Sequence, residues 1–222
     1  KPFFKNSNIY KNGTVTTVNE YLLYIDRGVK TIGENIKEHL EKYKKILDER
    51  REVKNSVINW WQLQWPREQS IFESPKIVVP QRSSRNTFGY NEVHWYASAD
   101  VYFITEKNKS ISLKYVLALL NSKLYYVWFY YRGKRKGENL ELLQKPLSEV
   151  PIKKISESDQ RPFIEIVDKI LSITKDEDYL NNPEKQAKVK EYEHEIDNLV
   201  YKLYDLTPAE ISIIEGNFKE EK

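Results

Sequence analysis

Cysteine is absent from this 222-residue chain, which excludes disulfide bridges and cysteine-ligated zinc sites. A chain without disulfides suits a reducing compartment, so we expect a cytoplasmic protein. The first residues form no apolar run, and no signal peptide is expected there. The chain starts at Lys1 rather than at Met, and we therefore expect it to be a piece of a longer protein.

Glycine and histidine are also scarce, which argues against several kinds of catalytic site. Seven Gly leave no G-x-G-x-x-G phosphate loop, and the three His are isolated from one another. An Asn-Pro-Pro-Tyr motif for adenine methylation is absent as well. The nearest approach to a nuclease motif is Glu52-Val53-Lys54, which lies in a charged helical pattern without an upstream Pro-Asp. We keep a nuclease as a remote alternative.

The most apolar segment, residues 112–130, approaches the length of a membrane span. Lys114, Asn121, Ser122 and Lys123 interrupt it, and burying lysines in lipid is costly. We predict a central core helix, with Ser112 as its N-cap, and no membrane partner.

Charge is distributed unevenly along the chain. Residues 1–154 contain 27 Lys and Arg and 16 Asp and Glu, a net charge of +11. Residues 155–222 contain 9 and 17, a net charge of −8. A basic body with an acidic tail indicates a polyanion-binding surface on the body.

The hydrophobic patterns predict an α+β fold: a mostly antiparallel sheet of short strands, a central buried helix and a C-terminal helical segment. We divide the chain into a body at 1–155 and C-terminal helices at 156–222. The predicted strands are 21–25, 76–79, 88–90, 93–96 and 101–104. The predicted helices are 32–54, 112–130, one beginning at Pro162, 184–204, and a short one behind a Thr207–Glu210 capping box. Residues 147–155 are predicted to be extended because of Pro146 and Pro151.

Polar and basic segments of the body supply the candidate binding residues. Gln81–Asn86 follows the apolar strand at 76–80, and Arg132–Lys136 places four cations in five positions. Arg, Gln, Asn and Ser are side chains that match phosphates and base edges. Solvated turns are the alternative. Trp65-Pro66-Arg67 is a further aromatic–basic candidate, and otherwise Trp65 is expected in the core. The candidates are Lys5, Asn6, Arg67, Gln81, Arg82, Ser84, Arg85, Asn86, Arg132, Lys134, Arg135 and Lys136.

Motifs along almost the whole chain resemble the TaqI-like C-terminal specificity domain, the target recognition domain of adenine-specific DNA methyltransferases and type IIG restriction–modification enzymes. The best single marker is Leu120-Asn121-Ser122-Lys123-Leu124. Further marks are Lys1-Pro2-Phe3-Phe4, Trp60-Trp61-Gln62-Leu63, Pro75–Pro80, Pro151-Ile152 and Glu195–Tyr201.

The resemblance implies a DNA-recognition module without catalytic residues or cofactor of its own. It implies a parent enzyme with a methyltransferase domain that uses S-adenosylmethionine, and in some cases a magnesium-dependent nuclease domain, acting on double-stranded DNA in a prokaryotic cytoplasm. Base-reading positions in this family lie in variable loops, so the candidate residues depend on the charge argument alone. The alternative is a protein–protein docking module of a restriction–modification complex that reads no bases.

Overall fold

The computed structural model describes residues 1–107 and 109–216. The N-terminal part contains four short strands and four short helices. The strands are β1 (Pro2–Phe4), β2 (Ile9–Tyr10), β3 (Gly13–Thr14) and β4 (Glu20–Tyr21). The helices are α1 (Glu34–Glu41), α2 (Lys44–Asp48), α3 (Arg51–Lys54) and α4 (Gln69–Glu73).

The middle of the chain contains most of the strands and the central helices. The strands are β5 (Lys76–Pro80), β6 (Arg82–Ser83), β7 (Gly89–Asn91), β8 (Tyr96–Ala97) and β9 (Val101–Thr105). Helices α5 (Leu113–Asn121) and α6 (Lys123–Arg132) follow, and then the strands β10 (Lys134–Lys136) and β11 (Asn139–Glu141). The C-terminal helices are α7 (Gln144–Glu149), α8 (Glu157–Thr174), α9 (Pro183–Leu203) and α10 (Pro208–Gly216).

The fold is α+β, as the sequence predicts, but the strands are divided among small sheets. Their orders in the described chain are β4-β1-β8, β7-β5-β9, β10-β11-β6 and the β2-β3 pair. The β1–β8 pairing is parallel and the other described pairings are antiparallel. Strand β5 is central in its sheet and all five of its residues are buried, which explains the apolar run from Ile77 to Pro80 that follows Lys76.

Strand β5 separates two hydrophobic clusters. Ile77 and Val79 face the larger one, which includes residues of α5, α6, α8 and α9. Val78 faces the smaller one, where Phe4 stacks on Trp95 with ring centroids 4.8 Å apart. Because α8 and α9 belong to the same cluster as α5, residue 155 falls within one continuous core. The division into a body at 1–155 and C-terminal helices at 156–222 therefore stays a prediction about the roles of these two segments.

Two predictions for the N-terminal part are wrong. The buried strand at 21–25 reduces to Glu20–Tyr21 at the edge of a sheet, with Tyr21 77% exposed. The long helix at 32–54 is broken into α1, α2 and α3, and neither α1 nor α2 buries a residue within the described chain. Arg50 has an extended backbone between α2 and α3, where its guanidinium donates to the carbonyl oxygens of Leu47, Trp60 and Gln62.

Three further boundaries differ from the prediction. The core segment at 112–130 is buried as expected, but Ser122 divides it into α5 and α6 and caps the second helix. The extended prediction at 147–155 is wrong for its first three residues, because α7 places Pro146 in its first turn, where a missing N–H is tolerated. Helix α8 begins at Glu157 with Ser156 as its cap, so Pro162 lies inside the helix rather than at its start.

Candidate nucleic-acid interface

The two segments predicted to bind a polyanion lie in one sheet, formed by β10, β11 and β6 and called here the basic sheet. Strand β11 lies in the middle and pairs antiparallel with both neighbours. Lys134 faces Glu141 across one pairing, and Glu141 faces Arg82 across the other. Residues some fifty positions apart are thus brought together by a strand that the sequence prediction did not include.

Glu141 organises the cations on one face of the basic sheet. Its Oε1 lies 3.2 Å from Arg82 Nε and its Oε2 lies 3.6 Å from Lys134 Nζ. The Glu141 side chain is 8% exposed, whereas those of Arg82 and Lys134 are 51% and 71% exposed. A shielded carboxylate therefore aligns two cations that remain accessible to solvent and to a ligand.

The opposite face of the basic sheet packs against α6. Arg135 pairs across the sheet with the buried Leu140, and its guanidinium lies 4.1 Å from the centroid of the Tyr130 ring. Burial raises the pKa of Tyr126, and the nearby charges of Arg85 and Arg135 oppose that rise. Arg85 and Arg135 therefore approach the same tyrosine of α6.

Two glycines set the path of the β10–β11 hairpin. A Cβ at Gly133 would lie 2.3 Å from the carbonyl oxygen of Phe129, so no larger residue fits where the chain leaves α6. Gly137, in the turn between β10 and β11, has a φ of +62°, which glycine adopts without steric strain. Arg132 is exposed in the last turn of α6, directly before this hairpin. The predicted basic loop is thus an ordered helix end and strand.

The N-terminal candidates adjoin the start of β6. Asn6 Oδ1 accepts a hydrogen bond from the Gln81 backbone N–H at 3.0 Å. The Gln81 N–H also donates to the Asp100 carbonyl, and the Gln81 carbonyl accepts from Leu142 N at 2.9 Å. Lys5 is exposed and pairs with Glu20, while Ser84 is exposed in the turn after β6. Asn6, Gln81 and Ser84 therefore border the basic sheet, whereas the Lys5 ammonium is directed to Glu20 of β4.

Asn86 and Arg67 have structural contacts instead. Asn86 is 3% exposed, and its Nδ2 donates to the carbonyl oxygens of Leu120 at 2.6 Å and Ser122 at 2.9 Å. Arg67 donates to the carbonyls of Val101 at 2.8 Å and Ala99 at 3.1 Å, and burial lowers the pKa of its guanidinium. Neither side chain is presented with the basic sheet, and we leave both out of the proposed interface.

Two residues near these sites were not predicted from the sequence, and a third was predicted in a different environment. Tyr130 was predicted only as the last residue of the core helix at 112–130, and no element was predicted around Glu141. The alternation of polar and apolar residues in Asn139-Leu140-Glu141 was nevertheless a usable signal for a strand. Trp65, weighed as a core residue, is 67% exposed.

The described residues do not gather into a metal site. Over 1–107 and 109–216, no group of three or more His, Asp or Glu side chains could hold a metal ion. Glu52 is 5% exposed and accepts hydrogen bonds from Arg51 and Gln64. In the same ranges, no helix has the length and apolar character needed to cross a bilayer.

Two bacterial DNA methyltransferases are similar in sequence to this chain. Type II methyltransferase M.HincII of Haemophilus influenzae is 32% identical over 109 residues, covering 46% of this chain and 22% of that protein. Type II methyltransferase M.BstVI of Geobacillus stearothermophilus is 22% identical over 179 residues, covering 81% of this chain and 28% of that protein. The chain thus spans about a quarter of such relatives.

A solved structure has the same fold. The type IIL restriction–modification enzyme MmeI, determined in complex with DNA, superimposes with a TM-score of 0.68 at 14% identity, over 96% of this chain and 30% of MmeI. The model of the TaqI-like C-terminal specificity domain family matches residues 1–152, which confirms the resemblance seen in the sequence. This chain therefore belongs to the TaqI-like C-terminal specificity domain family, the specificity domain of restriction–modification enzymes.

Proposed function

We propose that this chain recognises DNA sequence for a restriction–modification enzyme, binding duplex DNA through the basic sheet. The observation that supports this most is β11, which joins the two cationic segments into one surface. Polyanion binding needs several accessible cations close together. Membership of a specificity-domain family favours DNA as the polyanion. The major groove of DNA admits a small β-ribbon of this kind.

The residues divide into two expected roles. Lys134, Lys136 and Arg132 are exposed and have long cationic side chains, which suits contacts to phosphates that fix position without reading sequence. Arg82 is held in place by Glu141, and an ordered guanidinium can donate two hydrogen bonds to the O6 and N7 atoms of guanine. We assign base reading to Arg82 and to its neighbours Gln81, Ser84 and Arg85.

We propose that the parent enzyme is an adenine-specific DNA methyltransferase, in some cases joined to a nuclease. The relatives named above are type II methyltransferases, and this chain covers only about a quarter of them. S-adenosylmethionine, and magnesium where a nuclease is present, would bind to parts of the parent other than this chain. The methyltransferase domain would be the partner of the specificity domain, and cleavage or methylation of DNA would take place in the prokaryotic cytoplasm.

A salt titration of DNA affinity tests the proposal. The logarithm of the affinity should fall linearly with the logarithm of the salt concentration, by about 0.9 for each phosphate contact in duplex DNA. Changing Lys134 and Lys136 to Gln should make the slope shallower by about two contacts. Both side chains are exposed, so folding should be retained.

Lys190→Gln with Lys202→Gln is the matched control, since it removes two exposed cations from α9 and the same net charge. The control should keep the wild-type slope. Equal slopes for all three proteins, or affinity that does not respond to salt, would contradict binding through the basic sheet.

Docking of another protein part is a second candidate function, favoured by helices α1 and α2. Ile46 of α2 is 71% exposed, and Tyr43, between α1 and α2, is 51% exposed. Neither helix buries a residue in the described chain. Changing Ile46 to Asp should weaken association with the separately expressed methyltransferase part, measured by calorimetry, and leave the DNA affinity of this chain unchanged. Loss of DNA affinity instead would assign the helices to the DNA surface.

A further inference from the structure

Trp65 is presented to solvent by a backbone that is held in place on both sides. Its side chain is 67% exposed, although tryptophan has the largest apolar surface of any residue. On one side, the N–H of Leu63 donates to the Ile25 carbonyl at 2.7 Å. On the other, the Arg67 guanidinium binds the carbonyls of Val101 and Ala99, and the Arg67 carbonyl accepts from the Tyr24 hydroxyl. The backbone on either side of the exposed ring is therefore anchored to the body of the protein.

An open cleft of about 510 Å³ lies beside the Trp65 ring, lined also by Asp26, Arg27, Gly28 and Pro66. The Arg27 guanidinium carbon is 5.9 Å from the Trp65 ring centroid, and Arg27 Nη2 donates to the Gln64 carbonyl at 3.5 Å. Asp26 accepts from the Gly28 N–H at 2.8 Å through Oδ1, which orients the carboxylate at the edge of the cleft. A flat apolar ring, a planar cation and a carboxylate thus meet in one cleft.

This cleft is linked to the basic sheet by a short series of contacts. Arg67, two residues after Trp65, binds the carbonyls on either side of Asp100. The carbonyl of Asp100 itself accepts from the N–H of Gln81, the residue before β6. These hydrogen bonds connect the backbone beneath Trp65 to the start of the basic sheet.

We propose that Trp65 and Arg27 bind a nucleobase that has left the stack of the duplex. The proposal rests on the DNA-binding function proposed above and adds a second contact to it. Every base has a π-face that can stack on an indole ring, and a guanidinium attracts the same electron-rich face. The Asp26 carboxylate can accept a hydrogen bond from the amino group of adenine or cytosine. The cation in the cleft and the exposed Lys30 beside it favour a nucleic acid over an apolar protein surface.

Fluorescence anisotropy with two labelled duplexes tests this proposal. One duplex is fully paired, and the other is identical except for a single unpaired adenine in the middle. Wild-type protein should bind the second duplex more tightly, and Trp65→Leu should lose roughly tenfold in affinity for it, the size expected for one stacked base. The affinity for the paired duplex should change much less.

Two variants separate stacking from a general loss of apolar surface. Trp65→Phe retains an aromatic face and should keep most of the preference for the unpaired base. Tyr21→Leu removes an aromatic side chain that is also exposed but lies in β4, outside both proposed binding surfaces, and it should behave as wild type. Circular dichroism of each variant checks that the fold is intact.

The outcomes distinguish this proposal from the function on which it rests. If wild type binds both duplexes in a salt-dependent way and Trp65→Leu keeps the full preference, only the role of Trp65 is wrong. If wild type binds neither duplex, both proposals fail. If Trp65→Leu leaves DNA affinity unchanged but abolishes self-association in sedimentation, the cleft is a protein contact and the nucleobase proposal is wrong.

Discussion

Asn121 forms hydrogen bonds with both backbone polar groups of Phe88. Its Oδ1 accepts from Phe88 N at 3.0 Å, and its Nδ2 donates to Phe88 O at 2.8 Å. The same Nδ2 donates to Asn12 Oδ1 at 2.7 Å, and Asn12 Nδ2 donates in turn to Glu193 at 2.8 Å. The Leu-Asn-Ser-Lys-Leu motif therefore ties the end of α5 to the chain before β7 and, through Asn12, to α9.

Changing Asn121 to Ala should destabilise the fold by about 3 kcal/mol, because the buried Phe88 N–H and Asn12 Oδ1 would lose their partner, while the Phe88 carbonyl keeps the Asn12 N–H. Urea unfolding followed by tryptophan fluorescence measures the change. The exposed Asn55→Ala variant, by comparison, should stay within about 0.5 kcal/mol of wild type. A loss as small for Asn121→Ala would show that the network adds little.

Changing Glu141 to Gln should increase affinity for DNA and steepen its dependence on salt. The substitution removes the charge that Arg82 and Lys134 share, so both cations become available to phosphates. Stability should decrease slightly, since the hydrogen bond from Arg82 would end on a neutral amide oxygen instead of a carboxylate. Anisotropy titrations at several salt concentrations give both quantities. Weaker binding than wild type would show that ordering Arg82 matters more than the added charge.

The stability of the fold should fall as pH rises from about 4 to about 6 because of Asp197. Burial raises the pKa of Asp197 to about 6, from an ordinary value of 3.8, against the opposing effect of the Lys123 backbone N–H that binds its Oδ1. Between these values the folded protein holds a proton that the unfolded chain has released, so deprotonation favours unfolding. The effect amounts to about 3 kcal/mol at most.

Asp197→Asn should remove this part of the pH profile, as measured by urea unfolding across that range. The amide oxygen can still accept from Lys123 N, so the variant should fold. A decline between pH 4 and pH 6 that persists in the variant would assign it to other groups.

Lys76 should produce a change in stability at alkaline pH. It is fully buried in β5, and its Nζ donates to the carbonyls of Ser74 and Val93 and to Asn91 Oδ1. Burial lowers its pKa to about 8 from 10.5. Between these values the unfolded chain binds a proton that the folded protein lacks, so stability should rise with pH across that window.

The difference between wild type and Lys76→Met isolates this effect from that of the buried tyrosines, whose raised pKa values act in the opposite direction above pH 10. Lys76→Met will lose stability at all pH values because three acceptors lose their donor, but it should lack the rise that starts near pH 8. Parallel profiles for the two proteins would contradict a lowered pKa for Lys76.

Features determined by neighbouring residues were predictable from the sequence. Strand β5 follows from its apolar run, and Thr207 and Glu210 form the expected capping box, with Thr207 N donating to Glu210 at 2.8 Å. Features that depend on contacts between distant segments were not. Arg50 breaks a helical pattern by binding carbonyls ten and twelve residues away, and Asn86 is buried because it caps the chain between α5 and α6.

The candidate site shows the same limit. The cationic residues were identifiable from composition, but their assembly depends on β11, and its central Glu141 carries the charge opposite to the one that was sought. The chain next to the exposed Trp65 is anchored where Arg67 binds the carbonyls at 99 and 101. Long-range side-chain to backbone bonds of this kind leave no periodic signal in a sequence.

The single core that runs from α5 into α8 and α9 limits how this specificity domain can be exchanged between enzymes. Phe163, Ile166 and Val200 are buried against residues of α5, so a protein cut at residue 155 would expose a broad apolar surface and aggregate. A functional chimera must carry α8 and α9 along with the basic sheet. The segment that must be exchanged to change the recognised DNA sequence is therefore larger than the surface proposed to contact the DNA.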